Sequence, residues 1–217
     1  DTSKFSRKDR VVMPVEEIAA KSIVRRQNIP DSWFITSTSM NVYRGCAHNC
    51  AYCDGRDERY YVDGEFGVDV QAKMNAPEIL RRELDPRRRR VPFAPGFLGL
   101  GGGVGDSYQS AEADCRLTRR ALELARAFGH PVHLLTKSDL VTRDLDLITE
   151  IATASGAIVS FSFSTVDEEL ARIVEPGLPG PAARLHAMEE MAAAGIPTGA
   201  FLLPVLPALS DGVTEIT

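Results

Sequence analysis

From Phe97 onward, short apolar runs alternate with longer stretches in which apolar residues recur every three or four positions. The runs predict strands at Phe97 to Gly101, Val132 to Lys137, Ala157 to Ser164 and Thr198 to Leu203. The periodic stretches predict helices at Ala111 to Phe128, Leu145 to Ser155 and Ala182 to Ala194, each long enough to cross between parallel strands. Gly129 and Gly195 follow two of these helices, and Pro131 and Pro197 bar their continuation. Thr36 to Val42, rich in β-branched and hydroxyl residues, predicts a fifth strand ahead of the others. The class is therefore α/β, with an N-terminal arm over residues 1–35 and one domain over 36–217. Within the arm, the mixed-charge stretch Val15 to Gln27 suits a helix. Tyr60 to Met74, with Asp63-Gly64 and Phe66-Gly67, predicts a hairpin, Ala76 to Leu84 a helix, and Pro176 to Pro181 a loop between two units.

Composition narrows the class of function. The chain has 217 residues, 44% hydrophobic and 25% charged, which excludes a disordered, collagenous or coiled-coil protein. At this length roughly 70% of the unfolded surface is buried on folding, so a core forms without a metal or disulfide staple. Twenty-five basic residues against thirty acidic argue against a surface built mainly for nucleic acid. The longest apolar stretch, Ala200 to Leu209, is broken by Pro204 and Pro207 and too short to span a bilayer. No secretory signal opens the sequence, so the cytoplasm is the expected compartment, and four cysteines there do not read as a disulfide framework.

Three of those cysteines, Cys46, Cys50 and Cys53, fall within eight residues. On a helical turn or in a compact loop this spacing brings three thiols to one side and turns His48 away. Structural zinc takes four closed ligands, most often from two separated pairs, and no second pair exists in this chain. Three thiolates on an iron-sulfur cube leave one iron open, as a reactive cluster requires. The competing reading is a non-catalytic zinc module completed by another ligand. Cys115, inside a predicted amphipathic helix, reads as a packed thiol.

The motif Cys46-x3-Cys50-x2-Cys53, with Tyr52 before the last cysteine and a strand before the first, resembles the signature of the radical S-adenosylmethionine (SAM) enzymes. The resemblance implies a partial parallel barrel of the (β/α)6 type, apparently missing its last strand, and a 4Fe-4S cluster on the three cysteines. It implies SAM chelated at the fourth iron and cleaved by one electron to methionine and a 5′-deoxyadenosyl radical that abstracts hydrogen. An electron donor such as flavodoxin or ferredoxin follows as a partner. Tyr52 would pack beside the adenine, and Gly101, Gly102 and Gly103 would let the backbone approach the methionyl amino group, with Asp106 just beyond. Thr136-Lys137 and Phe161-Ser162-Phe163-Ser164 resemble segments of spore photoproduct lyases and their lyase-like relatives over roughly residues 36 to 212. By that likeness Lys137 would meet the methionyl carboxylate and Ser164 the ribose, with Ser162 on the same lumen face.

Two departures separate the chain from true photoproduct lyases. Gly102 and Gly103 stand where those enzymes carry a hydrogen-donating cysteine, and Asp54-Gly55-Arg56 replaces an aromatic-rich segment after the cluster. The substrate is left open. A lyase-like DNA repair reading is the alternative, with six arginines at Arg81, Arg82 and Arg87 to Arg90 as a phosphate grip, although such a run is usually a solvated face. Tyr60, Tyr61 and Tyr108 are expected to pack in the core or at the rim, with a radical relay as the functional alternative. Five barrel strands, where the family normally has six, lead to the expectation that the natural product continues beyond Thr217 and that the fifth strand has an open edge.

Overall fold

The computed structural model describes residues 15–31, 35–57, 64–87, 96–101 and 104–212. In chain order these form β1 (Val15–Ile18), β2 (Val24–Asp31), β3 (Thr36–Met40), β4 (Tyr43–Arg44), β5 (Val70–Lys73), α1 (Ala76–Leu84), β6 (Phe97–Leu100), α2 (Glu112–Cys115), α3 (Leu117–Ala127), β7 (Val132–Thr136), α4 (Leu145–Ala154), β8 (Ala157–Phe163), α5 (Glu168–Val174), α6 (Pro181–Ala193) and β9 (Thr198–Leu202).

The apolar runs of the second half become the central strands of a six-stranded sheet, ordered β2-β3-β6-β7-β8-β9. Strands β3, β6, β7, β8 and β9 are mutually parallel, and β2 adds antiparallel to β3. Leu98, Leu134, Val159 and Phe161 are buried, as expected of strands covered on both faces. The helices supply one cover. Ile79, Leu80 and Leu84 of α1, Leu117, Ala121, Leu122 and Ala125 of α3, and Leu147, Ile148 and Ile151 of α4 point into the same core. The sheet does not close: among the described residues β2 and β9 are its two edges.

Three elements differ from expectation. The stretch 15–27 is not a helix, because β1 pairs with β5 and β2 with β3, and Asn75 clips Ala20 between them through both backbone groups, at 2.8 and 2.9 Å. Tertiary pairing overrides a weak local preference. The expected hairpin at 60–74 is a single strand, β5, flanked by β1 in parallel and β4 antiparallel, while residues 58–63 lie outside the described residues. Before β5, Glu65 to Asp69 close on themselves, with Asp69 Oδ2 accepting from Glu65 N at 2.6 Å.

The expected helix 111–128 is broken at Arg116, which sits in the left-handed region at φ 52°. The break has a chemical reason. The first amides of α3 lack intrahelical acceptors, and the buried Glu112 carboxylate of α2 takes them, from Thr118 N at 2.9 Å and Arg119 N at 3.2 Å. The same carboxylate accepts from Tyr43 Oη at 2.5 Å and from Arg143 at 2.7 Å, and Arg143 and Arg119 both reach the buried Asp144 ahead of α4. Replacing Glu112 with Ala should therefore cost about 3–5 kcal/mol, the range for removing one partner of a buried ion pair. Urea unfolding of the two proteins would measure it, and a loss below about 1 kcal/mol would refute this account of the break.

Candidate functional site

The three-cysteine loop begins one residue after β4, with Gly45 turning the chain at φ 76°. The fully buried Gln109 clamps its start, accepting from Ala47 N at 2.9 Å and donating to Gly45 O at 3.1 Å. Arg56 clamps its middle by donating to Cys50 O at 3.0 Å and Asn49 O at 3.1 Å, its guanidinium resting 5.0 Å from the Phe66 ring centre. The turn at Glu65 to Asp69 thus buttresses the loop, and Gly67 is free of a side chain where Asn49 packs against it. Cys46 and Cys50 are buried and Cys53 is half-buried. Backbone amides of His48 and Asp106 near the Cys46 sulfur favour its thiolate, and Gly55 N donates to the Cys53 sulfur at 3.3 Å. Burial lifts the Cys46 thiol well above the free-thiol range against the pull of those amides. Burial, then the Glu175 carboxylate, push Cys50 up to about 11. Among the described residues no three His, Cys, Asp or Glu side chains are gathered to hold a single metal ion. The amide-bonded sulfurs are a donor set suited to thiolate ligation, in which each bound metal centre displaces protons. Cys115 ends α2, far from this role, packed against the core with its thiol raised by burial.

The carboxyl ends of the strands face this loop. Asp106, buried, accepts from Thr136 Oγ1 and Lys137 N, both at 2.8 Å, and from Tyr108 N at 2.8 Å, while His48 Nε2 lies 3.2 Å away. That imidazole approaches off the hydrogen-bond line, and its Nδ1 has no partner in the described structure. Burial pushes the Asp106 carboxyl up, but the neighbouring His48 imidazole and these hydrogen bonds outweigh it and hold the group low. Tyr108 is wholly buried, its hydroxyl on Asp144 at 3.2 Å, so it is a core residue and not a rim residue.

Of the predicted site residues, Tyr52, Lys137 and Ser164 come together, and they do so on one carboxylate that sequence reasoning missed. Glu175 Oε1 accepts from Ser164 Oγ at 2.5 Å and from the Tyr52 hydroxyl, and Lys137 Nζ lies 3.0 Å from it. Lys137 also sits 5.4 Å from the Tyr52 ring centre. Arg184, fully buried on α6, pairs with Glu175 Oε2 and donates to Ser162 O at 2.9 Å. Burial pushes Glu175 up, yet Lys137 and Arg184 reverse this and hold it down to about 2. Burial pulls the Lys137 ammonium down, opposed by the same carboxylate. Ser162 Oγ turns to Leu203 O at 3.0 Å and Ser160 Oγ to His133 at 2.8 Å, so the serine face of β8 is hydrogen-bonded throughout, while Phe161 and Phe163 fill the core. Gly101, at φ 81°, follows β6 where a Cβ would run into the Leu135 carbonyl, so both its backbone conformation and this close approach call for glycine. Gly102, Gly103, Tyr60, Tyr61 and Arg88 to Arg90 lie outside the described residues. One signal for Arg184 was present: it shares the buried stripe of α6 with Pro181, Ala187 and Met191, and a charge there demands a buried partner.

Fold and site together define an open, mostly parallel α/β sheet whose carboxyl edge holds a buried three-cysteine loop against a cluster of cations. The family model described as the radical SAM superfamily matches residues 40–215, and the chain belongs to that superfamily. An uncharacterized protein of Mycobacterium tuberculosis (strain ATCC 25618 / H37Rv) is 38% identical over 177 residues, covering 80% of this chain and 51% of the relative. An uncharacterized protein of Methanocaldococcus jannaschii is 29% identical over 196 residues, covering 90% and 69%. The chain thus spans about half the length of the mycobacterial relative. Among solved structures, a spore photoproduct lyase mutant superposes with a TM-score of 0.65 at 16% identity, covering 87% of this chain and 50% of that one. Another, with bound AdoMet and dinucleoside spore photoproduct, gives 0.59 at 17% identity, covering 81% and 48%. At these identities the likeness is one of fold.

The end of α5 and the chain after it dock on the cysteine loop through backbone as well as through Glu175, with Ala51 N donating to Val174 O at 2.8 Å and Gly177 N to His48 O at 3.1 Å. A Cβ on Gly177 would collide with the carbonyl oxygens of Ala47 and His48. Gly177→Ala should therefore loosen the loop, and in the metal-free protein the buried Cys46 and Cys50 should react with a thiol reagent about tenfold faster or more, a shift of about 1.4 kcal/mol in loop opening. Site-resolved mass spectrometry of the labelled protein would show this, and unchanged rates would count against the close approach.

Proposed function

We propose that the chain holds a 4Fe-4S cluster on Cys46, Cys50 and Cys53, binds SAM at the strand ends and uses the pair for hydrogen-atom abstraction. Its membership of the radical SAM superfamily, with Cys50 of the three-cysteine motif within electrostatic reach of Lys137 at the sheet edge, carries the proposal. When bound, cluster and SAM together supply reductive cleavage of a sulfonium bond. The chain's own residues do the rest. Amides at His48, Asp106 and Gly55 stabilise the thiolate ligands, and Gln109 and Arg56 keep the loop in one conformation. Lys137 has one short partner, Glu175, and two carbonyls at 3.5 Å, so its ammonium can also accept the cofactor's carboxylate as counter-ion. Ser162 and Ser164 present hydroxyls on the same side, and the backbone around Gly101 to Gly103 is where the methionyl amino group would approach. A single-electron donor such as flavodoxin or ferredoxin supplies the electron, and the cytoplasm is the compartment this chemistry suits. Among the described residues no helix is long and apolar enough to cross a membrane.

Family membership displaces the zinc-module reading of the cysteine loop. A nucleic-acid substrate is the second reading, favoured by the fold likeness to spore photoproduct lyase and by exposed Arg81 and Arg82 on α1; Arg87 is already engaged by Asp85. Binding of single-stranded DNA that weakens steeply with salt would support it.

Anaerobic reconstitution should load about four irons and four sulfides. Cys46→Ala, Cys50→Ala or Cys53→Ala should each abolish the cluster and Cys115→Ala should spare it. Dithionite-reduced protein should release 5′-deoxyadenosine from SAM, slowly without substrate. Iron loss in Cys115→Ala, or a loaded protein that leaves SAM intact, would refute the proposal. Lys137→Ala should weaken SAM binding about ten- to a hundredfold with the cluster's visible spectrum unchanged, since a charge-assisted contact contributes about 1.5–3 kcal/mol.

A further inference from the structure

Four side chains from four separate parts of the chain converge on Glu175: Tyr52 from the cysteine loop, Lys137 from the end of β7, Ser164 from the end of β8 and Arg184 from α6. The residue itself is pinned, because the backbone bonds from Ala51 to Val174 and from Gly177 to His48 lie on either side of it. Tyr52 and Lys137 use the same oxygen, Oε1, and Tyr52 and Ser164 lie 2.8 Å apart. A displacement of the cysteine loop therefore moves the strap that carries Glu175, and with it the carboxylate that orients Lys137. Two cations against one carboxylate also leave this buried cluster one positive charge in excess, with Arg184 Nε unpartnered in the described structure. An excess of that sign suits a further carboxylate.

We propose that Glu175 is a positioning residue that couples the cluster-bearing loop to the SAM-binding strand ends. It does not act as a competing anion that SAM must expel. Its carboxylate stays in place and sets Lys137 and Ser164 only while the Tyr52 loop is docked, so that ordering the loop around its cluster also builds the seat for the methionyl carboxylate. Glu175 touches no reacting atom in this scheme. The inference rests on the cofactor reading given above.

The test is equilibrium binding of SAM to anaerobically reconstituted protein, with iron and sulfide measured on the same samples. Tyr52→Phe keeps the aromatic ring and removes the hydroxyl that reaches Glu175 and Ser164; it should retain the iron and bind SAM about tenfold more weakly, the order expected for a lost hydrogen bond to a charged group. Glu175→Gln should weaken binding about ten- to a hundredfold, and adding Tyr52→Phe to it should bring almost no further loss, because the two act through one contact. Glu175→Asp, which keeps the charge, should recover part of the affinity. Unchanged binding in Tyr52→Phe with full iron would overturn the inference, as would additive losses in the double variant or tighter binding in Glu175→Gln. If Glu175→Gln does not assemble a cluster, Tyr52→Phe decides alone. Wild-type holoprotein that binds no SAM removes the cofactor reading and this inference with it, whereas wild-type binding with unaffected variants removes this inference only.

Discussion

Burying the Glu175 carboxylate beside Arg184 is the constraint on which the rest of the site depends. An ionised group taken out of water costs several kcal/mol unless its partners are in place, and a buried pair with one member removed is worse than none. Here both carboxylate oxygens are used: Oε1 by Lys137, Ser164 and Tyr52, and Oε2 by Arg184. Satisfying that one group dictates where α6 docks, how the chain leaves α5 and how the cysteine loop lies over the strand ends. A site assembled this way is rigid because any single displacement leaves a charge uncompensated.

A second buried charge cluster does analogous work in the helical layer. Glu112, Arg143, Asp144 and Arg119 tie α2, α3 and the entry to α4 to Tyr43, three residues ahead of Cys46. The two clusters differ in their balance of charge. In the helical cluster two arginines meet the buried carboxylates Glu112 and Asp144, with exposed Asp146 also on Arg119, so no cation is left in excess and the groups serve packing register. At the strand ends two cations meet one carboxylate, and the imbalance lies beside the three thiols. Asp106 stands between these regions, holding the backbone of Lys137 and the Thr136 hydroxyl with its carboxylate.

Glycine marks the places where the backbone itself is the contact. Gly177 lets the strap lie against the carbonyls of the cysteine loop, and Gly101 lets β6 end against β7. Both reflect close approach of main chain to main chain, which no side chain tolerates. For Gly101 this supplies a structural cause at a position whose sequence context had suggested contact with a ligand.

The sequence by itself determined the succession of parallel strands and covering helices from Phe97 to Leu202, apart from α5, because strands buried on both faces need continuous apolar runs and their covering helices need a three-to-four spacing. It also marked the three-cysteine motif, which the superfamily match includes, and the placement of Lys137 and Ser164 at strand ends. Only the tertiary structure decided that Val15–Ile18 and Val24–Asp31 are strands, because an edge segment with mixed charges takes its backbone hydrogen bonds from whichever strand lies within reach. The break at Arg116 likewise came from outside the helix, from a carboxylate whose partners Tyr43 and Arg143 are distant in sequence. Arg184 was legible as a charge on an apolar stripe, yet its partner was not. A buried charge announces that it needs a counter-charge, and only the folded chain, by bringing α5, β7, β8 and the cysteine loop to one point, determines that the counter-charge is Glu175.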